Sequence, residues 1–146
     1  MATYSTDKDL INLRPNILNN GQADFDWAHI MAYDEINSTL EAEWYMSVAP
    51  LHNVDTTQTG MDISKLVPAE LKMLSIYKAF ELIYISLAKD IVPTNDGPFA
   101  WAAWAKQNYD DELARILKTG PSYDWGGDGI TQADKFEPFS RKLIRC

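Results

Sequence analysis

Residues 68–90, PAELKMLSIYKAFELIYISLAKD, are apolar almost all the way round a helix. A helix of that kind needs cover on every side, so it predicts a compact bundle built around one buried central helix. A second helical segment follows soon after, WAAWAKQNYDDELARILKTG, and it is apolar on one face only. Lys72, Lys78 and Glu81 interrupt the first run, and three charges in its middle argue against a membrane span.

The rest of the chain divides around these two helices. Ser5 or Thr6 can cap a short helix that runs to about Leu13 and stops at Pro15. NILNNGQADF reads as a loop, after which Asp24 or Asp26 can cap a long helix ending near Val48 and Pro50. Ile30, Tyr33, Ile36, Leu40 and Trp44, at steps of three or four, are its expected inward positions. Residues 52–65 are polar and Thr-rich and read as an exposed loop. Pro68 suits the first turn of the central helix, whose apolar positions are Leu71, Leu74, Tyr77, Phe80, Ile83, Ile85 and Leu87. Pro93, Gly97 and Pro98 make the next turn. The last helix, 99–118, carries Trp101, Ala105, Tyr109, Leu113, Ile116 and Leu117 as its stripe and closes at Gly120. The remainder, PSYDWGGDGITQADKFEPFSRKLIRC, has no helical period. The expected architecture is an all-α bundle of about four helices over residues 1–120, with an extended irregular tail over 121–146.

The chain has 146 residues, enough for one core, and a formal net charge of -8. An acidic surface repels phosphate and argues against independent nucleic-acid binding. One cysteine, Cys146, can form no internal disulfide, and the first residues lack a signal-peptide pattern, so an intracellular product is expected.

Candidate chemistry is sparse. His29 and His52 are the only histidines, and neither has a Glu three residues before it, as an inward helical di-metal site requires. Asp26 and Tyr33 lie within helical reach of His29, but no nucleophile motif accompanies it, and a packed or solvated role is the plainer reading. Glu35, Glu41, Glu43, Asp110, Asp111 and Glu112 read as a solvated face. Asp124-Trp-Gly-Gly-Asp128-Gly129 is similar to the start of a calcium loop, yet position three is Gly126 and position twelve is Lys135. A tight turn is the simpler account. No metal, cofactor or catalytic residue is expected. Trp101 and Trp104 suit either core or interface, and Trp125, in a Gly-rich turn, is a candidate contact. Arg141, Lys142 and Arg145 reverse the local charge, and with Phe139, Leu143 and Ile144 they can dock as an extended peptide on an acidic partner. A solvated basic end is the alternative.

In order and spacing these segments resemble the head-to-tail connector (adaptor, head-completion) proteins of tailed bacteriophages. YSTDKDL resembles the family's short opening helix, Y-x-(S/T)-x-x-D-L. AYDEINSTLEAEWY is similar to its long helix of the type A-x-x-E-I-x-x-x-L. PAELK matches its Pro-initiated helix, YDDELARIL its Y-x-x-E-L-x-R-(L/I)-L helix, and YDWGGDGI with RKLIR its Gly-rich turn and basic end. The chain departs from that pattern at Gly126, where an Asp is frequent.

The resemblance implies a non-enzymatic virion protein of the neck, made in the bacterial host cytoplasm. It would form a ring, commonly of twelve copies, beneath the portal. Such a ring extends the DNA channel without sequence-specific contact and offers a docking surface for neck and tail completion proteins. Trp125, Phe136, Phe139, Arg141, Lys142 and Arg145 are then the expected contacts to the portal or a neighbouring subunit. Two alternatives stand beside it: a small acidic helical regulator or inhibitor that binds a basic protein, and a small helical enzyme or metal carrier using His29.

Overall fold

A computed structural model describes residues 2–17, 23–88 and 97–133. The protein is an all-α bundle. Its elements are α1 (Asp7–Leu13), α2 (Asp26–Leu40), a π turn (Glu41–Tyr45), α3 (Met46–Val48), a 3₁₀ turn (Ala49–His52), a second 3₁₀ turn (Ile63–Lys65), α4 (Pro68–Ala88) and α5 (Pro98–Thr119). From α2 to the first 3₁₀ turn the chain forms one continuous rod, so four helical rods make the bundle. Two short strands, β1 (Ser122–Tyr123) and β2 (Gln132–Ala133), pair antiparallel after α5.

α4 is the central helix, lying between α2 and α5. It buries Leu71, Leu74, Ile76, Ala79, Phe80, Ile83, Tyr84 and Ala88, so cover reaches most of its circumference. Ile85, expected to face inward, is instead exposed on the remaining strip. The three charges that interrupt the run are each satisfied. Lys72 reaches Asp9 of α1 at 2.7 Å. Lys78 lies between Glu35 of α2 at 2.8 Å and Glu81 at 3.1 Å. Lys78 and Glu81 are each only 8% exposed, which a charge tolerates only when paired. Among the described residues no helix is long and apolar enough to cross a membrane.

The long second rod departs from a uniform α-helix at its end. Successive residues of an α-helix point 100° apart, so adjacent large aromatics do not share one inward direction. At the π turn the helix widens locally, and both Trp44 and Tyr45 enter the core. Pro50 does not stop the rod but sits in the first turn of the 3₁₀ segment, and Asn53, at φ 59°, ends it. The start also differs from expectation. Phe25 occupies the cap position in place of Asp24 or Asp26, because its ring is fully buried. Its N–H is met by the Asp7 carboxylate of α1 at 3.3 Å.

Two apolar clusters share α4. One gathers Ile36, Leu40, Trp44, Tyr45, Leu71, Leu74, Tyr109, Ile116 and Tyr123. The other gathers Leu10, Phe25, Ala28, Ile76, Phe80, Ile83 and Ala105. Tyr123 shows that Gly120 is not a boundary in the packing. This ring, from the segment taken as tail, is 3% exposed inside the first cluster. It also bridges Leu66 and accepts the Asp62 N–H at 3.0 Å. The segment expected to be irregular over residues 121–146 is therefore anchored to the bundle at least through its first strand.

Candidate interaction surface

The Gly-rich turn builds itself from its own carboxylates. Asp124 accepts the N–H groups of Asp128 at 3.2 Å and Gly129 at 2.9 Å, and these backbone donors hold its carboxyl below the usual carboxylate range. Asp128 in turn accepts the Ile130 N–H at 3.0 Å. Gly127 and Gly129 take φ of 67° and 83°, which only glycine adopts without strain. This is the tight turn expected of the residues. Among the described residues no three His, Cys, Asp or Glu side chains gather as a metal-ligand set.

Trp125 packs toward the end of the second rod. Its ring stacks on His52 at 4.2 Å with the planes 5° apart, and on Tyr45 at 5.8 Å. Tyr123 and Trp44 complete the aromatic group. The residue is half-buried, and its first role is to clamp the turn to the end of the second rod. A shallow pocket of about 260 Å³ borders it, lined by His52, Trp125, Gly126, Asp128 and Ile130. Phe136, Phe139, Arg141, Lys142 and Arg145 lie outside the described residues. Ala133, which precedes them in sequence, pairs with Ser122.

His29 sits in a hydrogen-bonded chain that local sequence spacing could not show. Its Nε2 lies 3.0 Å from Asp7 Oδ1 and its Nδ1 lies 2.8 Å from Ser5 Oγ. Ser5 Oγ is also 2.8 Å from Ser75 Oγ on α4. An ionised carboxylate only accepts, so in the neutral ring Nε2 carries the proton and Ser5 donates to Nδ1. Ser75 then donates to Ser5. This is the polarity of a serine–histidine–aspartate chain. The setting differs. Ser5 and His29 are each 2% exposed, and Ser75 already occupies the far side of the Ser5 oxygen. The neighbouring pocket of about 180 Å³ also contains Asp26, whose charge opposes a developing oxyanion. What the chain does visibly is tie the N-terminal arm to α2 and α4. Tyr4 adds to this seam by donating to Asn37 Oδ1 at 2.5 Å.

At the start of α5 lies an open aromatic corner. Trp101 and Trp104 meet edge to face at 5.7 Å and are each 38% exposed. Tyr84, Phe80 and Tyr77 of α4 pack behind them. The Arg14 guanidinium lies 3.5 Å over the Trp101 ring, and Leu13 beside it is exposed. Sequence reasoning flagged the two tryptophans but missed Arg14, because it lies 87 positions away from Trp101 and no local pattern joins them. The chain matches no protein-family model, no curated protein and no solved structure.

Proposed function

We propose that the protein is a head-to-tail connector of a tailed bacteriophage. Copies would form a ring beneath the portal, extend the DNA channel and receive neck and tail components. The observation that carries the reading is the anchored hairpin. It holds Ala133 beside Ser122, and the cationic, aromatic residues 134–146 follow Ala133 in an otherwise acidic sequence. A rigid body with a basic segment at a defined point suits docking onto a neighbour, since charge complementarity sets orientation and suppresses wrong partners. A net charge of -8 suits a channel through which DNA passes without sticking. In this reading the protein carries out no catalysis and needs no cofactor.

The test is co-sedimentation with a portal protein encoded in the same genome. The full chain should travel with the portal, and a chain ending at Ala133 should keep its helical circular dichroism yet stay behind. Equal binding by the shortened chain would remove the basic segment from the docking role. A full chain that remains monomeric beside the portal would favour the acidic regulator that sequesters a basic protein.

A further inference from the structure

We propose that two separate faces of the bundle are complementary halves of one contact between copies of this chain. This deepens the ring reading given above and rests on it. The first face is the aromatic corner made by Leu13, Arg14, Trp101 and Trp104. Its cation is notable in an acidic chain. Among the described residues Lys72, Lys78, Lys106 and Arg115 each pair with a carboxylate, whereas Arg14, like Lys8, Lys65 and Lys118, does not, and Arg14 differs from those lysines in lying over the Tyr84 and Trp101 rings. A guanidinium over an indole face can still direct N–H groups sideways to a carboxylate that approaches from outside.

The second face is the outer side of α2. Met31, Asp34, Ser38 and Glu41 follow at helical spacing and are all exposed, Met31 at 51%. Met46 is exposed farther along the same rod. Among the described residues no cation pairs with Asp34 or Glu41. The side therefore offers an apolar thioether beside unpaired carboxylates. Methionine sulfur packs well against indole, and a carboxylate suits the edge of Arg14. The central helix α4 lies between α2 and α5, the helices that carry most of the two faces.

Charge selects the pairing. The corner against itself would bring Arg14 toward Arg14, and the α2 face against itself would bring Asp34 and Glu41 toward their equivalents. Only corner against α2 face joins opposite charges with apolar surface on both sides. A contact between unlike faces is heterologous, and repetition of it makes a ring or a filament, not a two-fold dimer.

Sedimentation velocity from micromolar to millimolar protein tests this, alone and with portal added. Wild type should self-associate. R14E and D34R should each weaken association about tenfold, and the R14E/D34R double variant should recover it. Asp34 is exposed and, among the described residues, joins no ion pair, so D34R probes the contact without touching the core. Wild-type assembly that persists unchanged in both single variants would overturn this contact and leave the ring standing. A wild type that stays monomeric over the whole range, and gains no neighbours on the portal, would overturn both.

Discussion

His29 joins three parts of the chain through two ring nitrogens, which makes it the most consequential polar side chain in the bundle. His29→Ala should cost about 2–4 kcal/mol in urea denaturation, because it opens a cavity and removes the hydrogen bonds that the ring makes to Asp7 and Ser5. Ser5→Ala and His29→Ala together should cost less than their sum, since both remove the same bond. Lys78 shows the same economy in a charged form. Burial lowers its pKa, but Glu35 and Glu81 outweigh that and raise it, so the ammonium stays charged. Burial also pushes the Tyr109 phenol up to about 12, with Lys78 lying 4.8 Å over its ring. The unfolded chain releases both protons near pH 10, whereas the folded chain keeps them. Stability from these groups is therefore complete below about pH 10 and is lost as pH rises toward the folded values. Urea midpoints between pH 9 and 11.5 should fall in wild type and fall less in Tyr109→Phe. At this scale the sequence was partly legible. That His29 is packed was readable from its place beside an apolar face. Its partners were not, because Ser5 and Asp7 lie more than twenty positions away and only the folded arm brings them near.

The helices were the most legible level, because their periodic apolar positions report burial directly. α4 and α5 fall within two residues of their expected bounds. Local departures escaped for a physical reason each. The π turn answers a demand made by the core, which takes both Trp44 and Tyr45, and helix periodicity alone does not contain it. Removing one residue there, exposed Ala42, should restore an α turn and expel one of the two rings. Tryptophan emission should then shift to the red, with a loss of about 3–5 kcal/mol comparable to truncating a buried aromatic. The hairpin was read as tail because residues 120–133 carry four glycines and a proline without a helical period, and the buried ring that anchors it, Tyr123, gives no period by itself. A chain ending at Gly120 should consequently be much less stable than one ending at Ala133, as thermal unfolding by circular dichroism would show. Equal melting temperatures would mean that Tyr123 contributes little to the core.

For the whole molecule, the sequence announces a helical bundle with an acidic surface and a basic end, and the structure adds where that end begins. The surfaces that would make an assembly are the least legible feature. The aromatic corner draws on α1, α4 and α5, and the α2 face becomes meaningful only beside it. In the function proposed above, this bundle is one subunit of a ring on a portal. Electron microscopy of the purified protein mixed with the portal, with the protein alone as control, tests it most directly. The account predicts rings stacked coaxially on the portal, with the hairpin end of each subunit at a contact. Portals that remain bare beside dispersed monomers would contradict it.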